Sequence, residues 1–341
     1  MNTEAPANAN ADEAAEAPLL LVSDLAVSFP LGEDRGDIRV VDGISLRLRK
    51  GQTLGLVGES GCGKSVTALA LLDLVPEPGS IVGGQIIFDG TDLRTLPGEA
   101  MRNIRGNRIA MVFQEPGTAL NPVFSVGAQI AEAYRLHHET TKSEARNRAI
   151  ELLGRVGIPD PASRAEAYPH QLSGGMRQRC VIAMALICTP DLLIADEPTT
   201  ALDTTIQAQI LDLILDLQDE FGMAVLFISH NLATVSEVAD DIVVMYAGRV
   251  AEQARREDLF SEPSHPYTRG LIGTLPSRAR RGTALPTLAG SVGPGDLQIS
   301  GCRFANRCEL ADLDCRNSNP PLIDIAAGHI SACFKAERQK L

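Results

Sequence analysis

No stretch constrains this chain more than Gly58, Glu59, Ser60, Gly61, Cys62, Gly63, Lys64 and Ser65, which fit the pattern G-x-x-x-x-G-K-[ST]. The apolar run Leu54 to Val57 precedes it and the amphipathic Val66 to Leu74 follows, so the pattern predicts strand, loop and helix in that order. A chance glycine-rich turn is the plain alternative, and it explains neither flank. Glycines let successive backbone N–H groups turn inward as an anion nest, and a helix starting near Lys64 adds its positive dipole end. Such a loop holds polyphosphate. In that chemistry Lys64 reaches the β- and γ-phosphates and the Ser65 hydroxyl ligates Mg²⁺.

A loop of this kind sits well on a buried parallel sheet, and the composition suits one. Apolar residues make up 44% of the 341, yet aromatics are only 4% and Trp is absent, so the core must be aliphatic. At about 100–200 residues per domain, the length allows one large α/β domain and an appendage. A net charge of −12 argues against nucleic acid as a partner, because phosphate has to be met by a basic face. No uninterrupted apolar run approaches the ~18 residues that would span a bilayer. Residues 1–18 carry four Glu/Asp and no Lys or Arg, which reads as a disordered acidic tail rather than a signal peptide and places the chain in the cytosol. There, the seven cysteines are better read as metal ligands, buried apolar residues or reactive thiols than as disulfides.

Along the chain, Leu19 to Phe29 and Val40 to Leu48 read as strands opening an antiparallel β layer, with Ile81 to Gly90 as a further β segment. Phe29 ends its strand where a ring could stack on a base or simply join the core. Ile109 to Phe113 is a short apolar strand ending in Gln114, a polar amide placed to ligate Mg²⁺, to orient water, or merely to end the strand. Val126 to Leu153 reads as mostly helical, and Pro159 and Pro161 then break the pattern, suggesting a helical insert at about 115–171. Ser173 with Gly174 and Gly175 at a helix start makes a second anion-seeking terminus, a weak signal in isolation. Leu192 to Asp196 is an aliphatic strand ending in an acid that would hold the metal's water shell. Glu197, next to it, would polarise the attacking water as general base. Ala224 to Ser229 is another buried strand, ended by His230, which can donate to a γ-phosphate. A hairpin through Ala247-Gly248 closes the first domain near residue 255.

Taken together, these residues resemble the ATP-binding subunit of ABC transporters over residues 19–255. Gly58 to Ser65 look like Walker A, Gln114 like the Q-loop, Leu172 to Gln178 like the signature motif with Met176 where Gln often stands, and Leu192 to Glu197 like Walker B. Ala201-Leu202-Asp203 look like the D-loop, His230 like the switch histidine, and Phe29 like the adenine-stacking aromatic, where Tyr is commoner. The resemblance implies an α/β phosphate-loop NTPase fold with an antiparallel β subdomain, a helical subdomain and a small C-terminal extension, 256–341. It implies ATP contacts from Phe29, Gly58 to Ser65, Val66 and Gln114, with Mg²⁺ at Ser65, Gln114 and Asp196 and catalysis by Glu197, His230 and Gln114. Two such domains pack head to tail in the family, so Ser173, Gly174, Gly175 and Asp203 would touch the partner's nucleotide.

The stretches Asn121 to Gly127, Tyr168 to Leu172, His265 to Leu271 and Cys302 to Cys308 resemble the oligopeptide/dipeptide importer branch, whose relatives also carry nickel, glutathione or sugars. That implies a peripheral ATPase on the cytoplasmic face of the membrane. Its expected partners are two permease subunits, a paralogous ATPase in a heterodimer and an extracytoplasmic solute-binding protein. A soluble ABC ATPase acting on ribosomes or DNA is the rival, but neither a second ATP domain nor a long coiled-coil insert is visible.

Past residue 255, repeated prolines and the cluster Arg278, Arg280 and Arg281 suggest a linker and small extension. It holds Cys302, Cys308, Cys315 and Cys333 in a C-x5-C-x6-C-x17-C pattern. Residue types alone leave disulfides, Zn²⁺ and an iron–sulfur cluster open, with cytosolic reduction against the first. The resemblance to cluster-bearing importer ATPases implies a 4Fe–4S cluster, with Zn²⁺ as the alternative.

Overall fold

In the computed structural model of the chain, residues 17–32, 36–114, 119–200, 202–275 and 288–336 are described. The acidic tail through residue 16, Ala201 of the expected D-loop, the residues just after Gln114 and the arginine cluster at 278–281 lie outside them.

Strands β1 (Leu20–Pro30) and β2 (Asp37–Leu48) pair antiparallel from Leu20↔Leu48 to Pro30↔Asp37. Alternating apolar positions turn Leu20, Val22, Ile44, Leu46 and Leu48 inward. β3 (Thr53–Val57) then enters a second sheet and leads through the glycine-rich loop into α1 (Lys64–Leu71). β4 (Ser80–Phe88) and β5 (Thr91–Asp92) return to the first sheet, whose order is β2-β1-β4-β5. α2 (Gly98–Ile104) and β6 (Ile109–Val112) come next.

The helical layer comprises α3 (Val126–Arg135), α4 (Lys142–Arg155), the short α5 (Pro161–Arg164) and α6 (Gly174–Leu186). Its interior is made by Ile130, Leu152, Leu153, Ile182 and Leu186. Val126 to Leu153, expected to be mostly helical, is two helices. The break has a local cause at Thr141, which N-caps α4: its hydroxyl accepts from Glu144 N–H at 3.2 Å, while the Glu144 carboxylate accepts from Thr141 N–H at 2.9 Å.

β7 (Leu192–Asp196), α7 (Thr204–Phe221), β8 (Ala224–Ser229), α8 (Leu232–Val238), β9 (Asp241–Tyr246) and β10 (Arg249–Arg255) complete the central layer. The second sheet runs β11-β12-β10-β9-β3-β8-β7-β6 and is parallel from β9 to β6. β3, β7 and β8 are buried at every residue, which is why each reads as an unbroken aliphatic run. The register Val57↔Ser229 and Asp196↔Ile228 brings the C-terminal ends of β3, β7 and β8 to one edge, so the loops that leave these strands meet there. Ala247 and Gly248, at φ +45° and +85°, make the tight turn between β9 and β10.

The small extension expected past residue 255 has secondary structure of its own among the described residues. α9 (Arg256–Ser261), α10 (Pro266–Gly273) and α11 (Leu313–Asn317) are joined by a hairpin of β11 (Ile323–Ala326) and β12 (His329–Ser331). β12 pairs antiparallel with β10 at Glu252↔Ser331 and so lengthens the central sheet. No helix among the described residues is long and apolar enough to cross a membrane.

Candidate nucleotide site

The loop between β3 and α1 is closely packed from behind. A Cβ on Gly58 would lie 2.3 Å from Met245 O, and one on Gly63, at φ +102°, 2.6 Å from Val40 O, so neither position tolerates a side chain. Lys64 is 5% exposed, and its Nζ donates to the carbonyls of Gly58 at 2.8 Å and Glu59 at 3.1 Å. Ser60 and Gly61 are exposed at the crest, Ser65 and Val66 are half-buried, and the Cys62 thiol points inward, its pKa raised by burial. The cradle is backbone-lined and carries one ammonium, the donor set a polyphosphate requires.

At the end of β7, Asp196 is 3% exposed and its Oδ1 is buried without a hydrogen-bond partner. Burial first, and then the Glu197 charge, raise its pKa, while a hydrogen bond from Ser65 opposes the rise. An orphaned buried carboxylate oxygen beside a serine hydroxyl fits a hard cation. Ser65 and Asp196 would hold Mg²⁺ here, and the ion would supply positive charge against the β- and γ-phosphate oxygens.

Glu197 adopts φ +49°, with its N–H donating to Ile228 O at 2.9 Å. Its carboxylate is met by Gln114 Nε2 at 2.9 Å, Thr200 Oγ1 at 3.0 Å and His230 Nδ1 at 3.0 Å. Burial raises its pKa, but the bonds from His230 and Thr200 and the charge of Lys64 outweigh that and leave it below the ordinary value. The carboxylate is therefore ionised at neutral pH and aimed by three donors, as a general base should be. Gln114, Glu197 and His230, far apart in the chain, thus form one cluster. Thr200 belongs to it and was missed, although it stands only three residues from Glu197.

Phe29 is half-buried with its ring against Gly79, where a Cβ would meet Phe29 Cε1 at 2.4 Å. Ser173 caps α6, its Oγ accepting from Met176 N–H at 3.3 Å, and Asp203 caps α7, its carboxylate accepting from Ile206 N–H at 3.0 Å. A Cβ on Gly175 would lie 2.9 Å from Ile206 Cγ2, so the starts of α6 and α7 touch. Ser173, Gly174 and Asp203 are exposed there.

The cysteines require a correction. Cys302, Cys308, Cys315 and Cys333 do line one small apolar cavity, with Phe304 and Ala305 among its other walls. Among the described residues, however, no group of three or more His, Cys, Asp or Glu side chains is arranged to hold a metal ion. The expected iron–sulfur or zinc site is withdrawn.

A phosphate loop, a buried Asp-Glu pair and a switch-like His at one edge of a parallel sheet, flanked by an antiparallel sheet and a helical layer, define a phosphate-loop ATPase of the ATP-binding-cassette class. Residues 41–200 match the ABC transporter family, and residues 251–315 match the oligopeptide/dipeptide transporter C-terminal region. A peptide ABC transporter ATP-binding protein of Sinorhizobium fredii is 51% identical over 320 residues, 93% of this chain and 95% of that one. A peptide import ATP-binding protein of Brucella abortus is 50% identical over 317 residues, with the same coverage. Among solved structures, a dimeric ATP-binding cassette in a post-hydrolysis state with ADP and Pi is 25% identical, with TM-score 0.62 over 70% of this chain and 98% of that one. The ABC transporter component cbiO1 of Clostridium perfringens is 26% identical, with TM-score 0.62 over 72% and 92%. The chain belongs to the ABC transporter ATP-binding subunits, in the group bearing the oligopeptide/dipeptide C-terminal region, and is an ATPase.

Proposed function

We propose that this chain hydrolyses ATP to energise import of di- and oligopeptides through a membrane complex. The observation that carries the reading is the Glu197 carboxylate, held by Gln114, Thr200 and His230 beside the phosphate loop. The peptide substrate is supported by the names of relatives that match almost end to end. Nickel, glutathione or sugars are the alternative cargoes.

The chain works at the cytoplasmic face with two permease subunits, a paralogous ATPase and an extracytoplasmic solute-binding protein. An apolar groove of about 370 Å³ supports docking to a membrane subunit. It is lined by Phe113, next to Gln114, and by Leu136, Met184 and Leu74; Phe113 and Leu136 are exposed. A helix from a permease would cover these side chains and press on the Gln114 segment. Ser173, Gly174, Gly175 and Asp203 serve the partner ATPase's nucleotide, and Phe29 contacts the base. In this arrangement residues 19–255 are the ATPase and 256–341 its extension.

The test is uptake by the complete transporter in proteoliposomes with ATP inside. A labelled tripeptide presented with the binding protein accumulates with the native chain and not with Glu197→Gln. Accumulation that persists in E197Q rejects the reading, and accumulation of nickel, glutathione or a sugar in place of peptide rejects the cargo.

A further inference from the structure

We propose that Arg307, backed by Arg303, is a positioning residue for the nucleotide: the C-terminal extension clamps the phosphate loop and cancels the charge that Glu59 brings into it. The proposal rests on the ATPase assignment above. A carboxylate in a loop that must receive a polyanion is an electrostatic fault unless something neutralises it. Here, Glu59 Oε1 and Oε2 accept from Arg307 Nη2 and Nη1, each at 2.9 Å, a two-pronged pair joining residues 248 apart in sequence.

The arginine is itself held in place. Its Nε donates to Ala289 O at 2.8 Å, Nη2 to Gly290 O at 3.2 Å and Nη1 to Tyr246 Oη at 3.2 Å. The guanidinium also lies 5.6 Å from the Tyr246 ring centre and 5.8 Å from that of Phe304. With its side chain 11% exposed, it is fixed in position rather than waving in solvent.

Two further contacts tie the same loop to the extension. Glu59 N–H donates to the hydroxyl of Tyr267, a fully buried residue of α10. Arg303 donates to Ala247 O and, at 2.8 Å, to Asp42 Oδ2. That fixes the turn whose Gly248 N–H donates to Cys62 O at 2.9 Å. The loop is therefore held at Glu59 and again at Cys62. The Glu59 carbonyl also accepts from Lys64 Nζ at 3.1 Å, so a shift of Glu59 would remove one of the two carbonyls, with Gly58 O, that hold the lysine meant for the phosphates.

The test is steady-state ATPase kinetics of the assembled transporter carrying Arg307→Gln, Arg307→Lys or the double variant Glu59→Gln/Arg307→Gln, with folding checked by thermal melting. R307Q keeps the stem and a donor but leaves Glu59 charged. Its KM for ATP rises on the order of tenfold, the scale of one charge-assisted hydrogen bond, while kcat stays within about twofold. R307K keeps the charge without the fork and gives an intermediate KM, which also serves should R307Q fail to fold. In the double variant no unpaired carboxylate remains, and KM falls severalfold below that of R307Q, because the charge is what mattered. A native KM in both R307Q and R307K overturns the proposal. So does a double variant as weak as R307Q, since the extension would then act on folding alone. A native chain that fails to hydrolyse ATP would instead reject the ATPase assignment.

Discussion

Glu197 shows how much of this site depends on the aim of one carboxylate. Thr200 and His230 favour its ionised form against the pull of burial, so its pKa lies below the usual 4.5. A base of depressed pKa is charged above that value and loses activity as pH falls through it. Removing a donor raises the pKa and moves the acid limb of the rate profile to higher pH. Thr200→Val leaves Glu197 with Gln114 and His230 and costs one hydrogen bond of roughly 1 kcal/mol in the transition state. Turnover is expected to fall severalfold with KM for ATP unchanged, and the acid limb of kcat to shift upward, measured by stopped-time ATPase assays across pH. A rise in KM without a shift of the limb would mean that Thr200 serves binding rather than the base.

At the scale of elements, the joint between β10, β12 and α10 is the clearest case of tertiary structure that the sequence leaves unsaid. Glu252, fully buried on β10, accepts from Ser264 N–H at 2.6 Å and His265 N–H at 2.9 Å and lies 2.7 Å from His329 Nε2 on β12. His265 caps α10, its Nδ1 accepting from Tyr267 N–H at 3.1 Å. Burial lowers its pKa from 6.5 to about 4, with the Glu252 charge only partly opposing. The folded state thus refuses a proton that the unfolded chain takes up below pH 6.5, so stability falls as pH drops from about 6.5 toward 4, by roughly 3 kcal/mol at most. His265→Asn keeps a capping oxygen and removes the titration. Its urea midpoint should vary less between pH 6.5 and pH 4.5 than that of the native chain. Below about pH 4.5 Glu252, whose pKa is lowered, adds a loss of its own as it takes up a proton. β3, β7 and β8 were legible because burial on both faces writes an aliphatic run with a functional residue at its end. β11 and β12 were not, since strands of four and three residues, stabilised by what they pair with, leave no period to read. The cysteines misled through a resemblance to cluster-bearing importers rather than through their own spacing. A pattern of thiols speaks of chemistry available, while the arrangement of the side chains in space decides what they can hold, and among the described residues no such group is arranged for a metal. The Glu59–Arg307 pair spans most of the chain and has no local signature at all.

For the whole molecule, the surfaces left exposed matter as much as the site itself. The phosphate loop, Asp196 and Glu197 gather at the edge of the parallel sheet, and the starts of α6 and α7 touch each other with Ser173, Gly174 and Asp203 exposed. Among the described residues, no hydrogen bond joins Ser173, Gly174, Gly175 or Asp203 to the loop of the same chain. Helix starts with free N–H groups favour an anion, and in the function proposed above that anion is the nucleotide of a second ATPase. Association should then require ATP and should last longest when hydrolysis is blocked. E197Q mixed with the proposed paralogous ATPase and ATP-Mg²⁺ is expected to give a dimer by light scattering, and the nucleotide-free mixture to give monomers. Ser173→Arg places a bulky side chain over the start of α6. It should abolish that dimer and lower hydrolysis on the order of 100-fold, the effect of removing one donor from a preorganised anion site. A dimer that forms equally well without nucleotide, or that survives S173R, would mean that the two ATPases are held together by surfaces other than the nucleotide sites.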